Sequence, residues 1–483
     1  MTDQPLTAIP RPTQVPAIPA RLEPDAIGVA QDTIIGLASS APAATMAVTM
    51  AGMAATAAYG GGPVIILCGI PMLILANTYR RLNLWNANCG ASFEWVGRAI
   101  NPYLGFIVGW MMLAGCLTGT ISVVVALSPA VLAVFGASAT SAWPNIALST
   151  GVIVVMATIA IIGIRLTART QVGMAVIEYT VLIGFSVWAL VYVLGHHPGT
   201  FPPTKGWLSL TGIGGKGNLA AGLLIAVFMY TGWDATVYVN EEVKHRRVNP
   251  GRAAVFAVAL LVILYVLPQV SMQGVVRPAQ LQANASSALV FVAQVLGGGG
   301  WAKVMAFALA LSVIASTGTG IVTASRVAYG MASHRVLPPI LGNVSRRYAT
   351  PAIGTIIIAV ILTAATWAYL LSTSIATVFT DVVSTTGLLF AGFYTLTALA
   401  AVFYYRRRIF TNAWDALLVG ILPLAAAVFL GWVIVKSLQT APATERWSLV
   451  GILGAGVVLM LVARFILQSP FFRIPLESAP REH

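Results

Sequence analysis

The chain has 483 residues, 58% of them hydrophobic and only 8% charged, with a mean hydropathy of +0.86. A soluble domain is about one quarter charged, so this composition excludes a water-soluble enzyme or adaptor and places the chain in a bilayer. The formal net charge of +13 does not signal nucleic acid, because it is concentrated on one side of the apolar segments, as set out below.

Windows of roughly 20 apolar residues, the length that crosses about 30 Å of hydrocarbon, begin near Ile27, Gly62, Tyr103, Trp143, Val172, Asn218, Gly251, Trp301, Pro351, Ile375, Asp415 and Trp447. They predict an all-α integral membrane protein of about twelve transmembrane helices. The polar, proline-rich residues 1–26 read as a cytosolic tail with no cleavable signal peptide, and residues 469–483 as a second cytosolic tail. The tails and even-numbered loops carry 21 of the 27 Lys and Arg residues, against 6 in odd-numbered loops. The positive-inside rule then puts both termini in the cytoplasm, and the excess of Arg over Lys with abundant Ala suggests a GC-rich bacterial genome.

In span 1, Asp32 is expected to pair with an arginine of the inner loops. The span is then interrupted at Ser39, Ser40, Ala41 and Pro42. Cys68, Cys89 and Cys116 lack paired metal spacing and read as small buried hydrophobes. Glu178 is a lone carboxylate in the middle of span 5. Span 6 is interrupted at Tyr230, Thr231, Gly232, Trp233 and Asp234, five spans after the first break. Glu241 and Glu242, beside Lys244, Arg246 and Arg247, are expected to form an interfacial salt-bridge cluster. Asp381 reads as solvated or capping, and His196, His197 and His245 as loop residues. No metalloprotease, Walker, nucleophile-elbow or dinucleotide motif is present, so no enzyme activity, metal or cofactor is expected.

Broken helices at corresponding positions of two halves mark a substrate site in a transporter. Unwinding frees backbone N–H and C=O groups at membrane depth, where a bound solute can satisfy them. Helix N-terminal ends favour a carboxylate and C-terminal ends an ammonium, so a zwitterionic amino acid fits both. Asp234, at the second break, is suited to meet a substrate ammonium, carry a proton or cap the following half-helix. Tyr230 and Trp233 beside it could cover the substrate.

The stretches Asn88 to Trp110 (NCGASFEWVGRAINPYLGFIVGW), Phe228 to Ala253 (FMYTGWDATVYVNEEVKHRRVNPGRA) and Thr323 to Pro351 (TASRVAYGMASHRVLPPILGNVSRRYATP) resemble three ordered motifs of the amino acid/polyamine/organocation permeases. The resemblance implies a five-plus-five inverted-repeat (LeuT-like) fold working by alternating access. It makes 27–200 the first repeat, 201–408 the second and 409–468 two accessory spans, with substrate held between spans 1 and 6. It also places Glu178 where proton-coupled members carry a lysine that stands in for a sodium ion, facing Ser316, Thr317 and Thr319. A carboxylate there reverses the sign, suiting a proton or sodium. One departure is the first break, whose proline removes an N–H that family members offer to a carboxylate. The expectation is a plasma-membrane symporter for amino acids, with a polyamine or other small cation as the alternative substrate.

Overall fold

The computed structural model describes residues 21–136, 142–208, 210, 216–285, 288–372 and 375–480. Most of the N-terminal tail, the last three residues and the side chain of Asp381 lie outside the described residues.

Span 1 is two helices, α1 (Val29–Ser40) and α2 (Pro42–Ala57), and span 2 is α3 (Gly61–Trp85). A short helix, α4 (Ser92–Ala99), lies on the loop before span 3, which comprises α5 (Pro102–Val124) and α6 (Leu127–Phe135). Spans 4 and 5 are α7 (Ala142–Ile162) and α8 (Ile164–Leu194), separated by Gly163 at φ +150°. Span 6 is α9 (Lys216–Met229) with the one-turn helix α10 (Ala235–Tyr238). Then come α11 (Asn249–Met272), the loop helices α12 (Pro278–Ala283) and α13 (Ala288–Gly297), α14 (Gly299–Ser333), α15 (Ala352–Ser372), α16 (Ile375–Tyr405), the short α17 (Ala413–Asp415), α18 (Leu422–Thr440) and α19 (Ala443–Leu461).

Ten segments among the described residues are long and apolar enough to cross a bilayer. The first of them, Val29–Trp85, holds two passes joined by a turn at Ala58–Gly60, and span 6 falls short of the length because it is broken. The expected twelve passes are therefore all identifiable. Proline opens α2, α5 and α12, where a missing N–H costs nothing. Burial ranks the helices: 72% of the most apolar window of α14 is inside the protein, against 11% for the last span. So α14 is central, and α19 faces lipid.

One face of the bundle carries both ends of the described residues, and there it is closed. Ala26 donates its N–H to Glu242 O at 2.8 Å, and Lys244 donates to Ile27 O at 2.9 Å. The expected cluster of Glu242 with its sequence neighbours is replaced by a pair with Arg326 of α14, 3.0 Å at both nitrogens, with both side chains fully buried. Arg326, one of the 21 basic residues assigned by sequence to the tails and even-numbered loops, is thus an interior residue. A bidentate guanidinium pair satisfies the two charges together, whereas Lys244, Arg246 and Arg247 reach solvent. Asp32 differs too. It is buried, and neither of its oxygens has a hydrogen-bond partner among the described residues.

Candidate functional site at the crossing of two broken spans

The first break is a backbone event at Ala41, which adopts a left-handed conformation (φ +46°) and turns its N–H back onto the Leu37 and Ala38 carbonyls. Pro42 then starts α2 in a new direction. The second break turns at Gly232 (φ +99°), where a Cβ would lie 2.7 Å from the Ser39 carbonyl carbon and 2.9 Å from the Ser40 nitrogen. Gly36 is pressed in the same way, its notional Cβ 2.9 Å from Trp233 O. The broken spans therefore cross backbone to backbone, and only glycine permits the approach.

A cavity opens at this crossing. Ser39, Ser40, Thr231, Gly232, Ser316 and Phe390 contribute to its wall, with Cys116 and Thr120 of α5 opposite. The space open to the centre of a water molecule is about 40 Å³, room for a few waters or one small solute. Its lining is rich in hydroxyls and carbonyls. Ser316 donates to Ser39 O at 3.4 Å, while Thr45 (2.7 Å) and Tyr265 (3.0 Å) donate to Ser40 O. The Thr323 hydroxyl, also on the wall, is buried with no partner among the described residues.

Glu178 of α8 is fully buried behind the first break. Its Oε1 accepts from Ala43 N–H at 3.0 Å and from the Ser312 hydroxyl at 2.7 Å, and Ala44 N–H donates to Ser312 Oγ at 3.2 Å. Pro42 has no N–H, so α8 and α14 together cap the orphan donors of the first turn of α2, and the carboxylate lies at the positive end of that helix. Its Oε2 has no partner among the described residues. Of the hydroxyls expected near it, Ser316 reaches Ser39 instead, and Thr317 and Thr319 donate within α14, to Val313 O at 2.8 Å and Ala315 O at 3.2 Å. Ser312, one turn before Ser316, is the residue sequence reasoning missed. The i, i+4 pairing of the two serines on one helical face was the available signal.

The residues of the second break part company. Thr231 and Gly232 remain on the cavity wall, whereas Tyr230, Trp233 and Asp234 are buried and absent from it. Tyr230 donates its hydroxyl to Ile65 O at 3.2 Å. Trp233 stacks on Tyr394 at 5.5 Å and meets Tyr79 edge-on at 5.0 Å. Asp234 Oδ1 accepts from the Tyr394 hydroxyl at 2.9 Å; Oδ2 has no partner among the described residues, and the side chain makes no cap to α10. The positive φ at Gly232 interrupts the helix, so Trp233 and Asp234 beyond it meet neighbours other than the cavity. Ala41 and Pro42 shape the first break from behind the wall.

The amino acid permease family profile matches residues 32–462. The chain belongs to that family. Similar proteins include an uncharacterized amino acid permease of Bacillus subtilis, 22% identical over 298 residues, or 59% of this chain and 64% of the relative. The γ-aminobutyric acid permease of Bacillus subtilis is 21% identical over 290 residues, 58% and 59% of the two chains. Asc-type amino acid transporter 1 of Homo sapiens is 29% identical over 135 residues, 28% and 25%. The aligned regions thus span at most 64% of these relatives' lengths. Among solved structures, MhsT in complex with L-phenylalanine superposes with a TM-score of 0.59 at 15% identity, covering 85% of this chain and 99% of that one. A manganese transporter of Eremococcus coleocola gives 0.55 at 11% identity, covering 91% and 95%. These likenesses fix the LeuT-like inverted-repeat fold. The permease is a multi-pass membrane protein.

Proposed function

We propose that this permease takes up small amino acids across the plasma membrane of a bacterium, in symport with protons, by alternating access with both termini in the cytoplasm. The observation that carries the reading is the cavity at the crossing of the two breaks. The C-terminal ends of α1 and α9 run out beside it, and their carbonyls favour a substrate ammonium. The hydroxyls of Ser39, Ser40, Thr231 and Ser316 are suited to the rest of a small polar solute. In this reading Ala41, Pro42 and Gly232 shape the pocket, Tyr230 and Trp233 brace it from behind, and Asp234 tunes it through Tyr394. Glu178, held by Ser312 and the Ala43 N–H, is the coupling group, because it links α8 and α14 to the start of α2.

A second reading, an amine or other small cation as substrate, is favoured by one observation. The N–H groups at the start of α2 that would greet a carboxylate are taken by Glu178 and Ser312 or removed by Pro42. Equilibrium binding of a matched set, alanine with ethylamine and propionate, decides between them. Binding of alanine above both analogues supports the amino-acid reading, and binding of ethylamine alone would replace it with the amine reading.

A further inference from the structure

We propose that the C-terminal segment Ser469–Ala479 is a strap that holds the chain-end face of the transporter closed, acting through α4. The inference rests on the alternating-access reading above and adds to it a device for biasing the cycle.

A polar terminus with no task is normally loose unless something ties it down. This one is tied at four elements far apart in sequence. The Ser469 hydroxyl donates to His334 O, just past the end of α14, at 2.7 Å. Phe471 is fully buried, stacked on Phe93 of α4 at 4.2 Å and set edge-on to His334 at 5.4 Å. It occupies the space left by Gly97, where a Cβ would come within 2.5 Å of its ring. Glu477 donates its N–H to Arg98 O at 2.7 Å, and its carboxylate accepts from Arg98 at 2.8 Å and from Trp85 Nε1, at the end of α3, at 3.1 Å. Ala479 donates its N–H to Tyr404 O of α16 at 2.8 Å.

The gripped helix α4 is itself joined to the residues that close this face. Glu94 of α4 contacts His334 at 2.7 Å and accepts from Arg98 and Asn86, each at 3.0 Å. From the loop between α3 and α4, Cys89 N–H donates to Glu241 at 3.1 Å, and Asn88 O accepts from Asn240 at 2.9 Å. The next residue, Glu242, makes the buried pair with Arg326. A continuous run of contacts therefore leads from the strap, through α4 and its loop, to the exit of the broken sixth span. Opening this face must part Asn240–Glu242 from Asn88, Cys89 and Arg326, and a strap that pins α4 against α3, α14 and α16 opposes that movement.

The native cysteines supply the test. Cys89 and Cys68 are both buried, Cys89 at the closure and Cys68 within α3 away from it. Full-length protein retaining only Cys89, or only Cys68, is alkylated with N-ethylmaleimide, with the strap intact and with Glu477→Gln or Phe471→Ala. We expect Cys89 to react about tenfold faster in the variants, the change that about 1.4 kcal/mol produces, while Cys68 stays protected. An unchanged Cys89 rate overturns the strap, and so does a parallel rise at Cys68, which would mean a loosened fold. Cys116, retained alone on the cavity wall, reads the transport reading separately. If it reacts while Cys89 ignores the strap variants, only the strap falls; if it never reacts, the alternating-access reading falls and the strap with it.

Discussion

Replacing Glu178 by Gln tests the coupling role at a position where the structure sets the size of the effect. Both donors, Ala43 N–H and the Ser312 hydroxyl, converge on Oε1. A hydrogen bond to a charged acceptor contributes about 1.5–3 kcal/mol and one to a neutral acceptor about 0.5–1.5. Removing the charge while keeping the shape therefore forfeits about 1 kcal/mol at each bond, or about 2 kcal/mol in all. That shifts the balance between the arrangement with α2 clasped and the one with α2 free by about 30-fold. Glutamine resembles only the protonated carboxyl, so the variant is held in one half of the cycle. In proteoliposomes, exchange of labelled for unlabelled amino acid should survive, and accumulation driven by an inward proton gradient should disappear. Accumulation with unchanged amount and pH dependence would refute the reasoning and leave Glu178 as a structural cap of α2.

Three further outcomes follow from the geometry. Tyr394→Phe removes the 2.9 Å donor to Asp234 Oδ1, beside an Oδ2 that has no partner among the described residues, a loss of about 1–3 kcal/mol or more for a charged group; in Asp234→Asn the same change should cost much less, and thermal stabilities that simply add in this double-mutant cycle would dismiss the pairing. Gly232→Ala combines a left-handed backbone, about 1–2 kcal/mol, with overpacking against Ser39, about 1–3 kcal/mol, so purified yield and thermal stability should fall sharply, and a wild-type melting curve would contradict the close crossing. Glu94 lies outside the spans. Burial works against its ionisation, but the hydrogen bond and charge of His334, with Arg98, outweigh it and hold the carboxyl below its usual range. A carboxyl lowered in the folded state stabilises above its unfolded value of about 4.3, and that contribution is lost as pH falls through the folded value. The melting temperature in detergent should therefore drop below about pH 4, and more shallowly in Glu94→Gln; identical acid profiles would remove Glu94 from the account.

The two breaks were legible because they are local. Pro42 and Gly232 interrupt apolar runs five spans apart, and the structure brings the two interruptions together at one crossing. Glu178 was legible as an anomaly, since an ionisable group within a span is costly. Facing was not legible. Helices apolar all round have no polar stripe from which a direction can be read, so the i, i+4 spacing of Ser312 and Ser316 was the one mark of a shared face, and Thr317 and Thr319, which bond to their own helix, lie off it. The same limit hid the orientation of Asp234, because the left-handed residue Gly232 breaks the helical register on which any facing argument depends. Arg326 and Phe471 were missed for a third reason. Each takes its place from partners distant in sequence, Glu242 and the pair Phe93 and Gly97, and a single chain read in order carries no sign of such pairings.

The central claim is that substrate sits in the cavity where the broken spans cross, and Cys116 on its wall allows this to be measured directly. Protein retaining Cys116 as its single cysteine is reconstituted in liposomes, screened for the amino acids it accumulates, and alkylated with N-ethylmaleimide in the presence of each. Every accumulated amino acid should slow modification of Cys116, with half-protection at the concentration that half-saturates uptake, while amino acids that are not accumulated should leave the rate unchanged. An amino acid that is accumulated yet leaves Cys116 reacting at its unliganded rate would contradict the placement of the site.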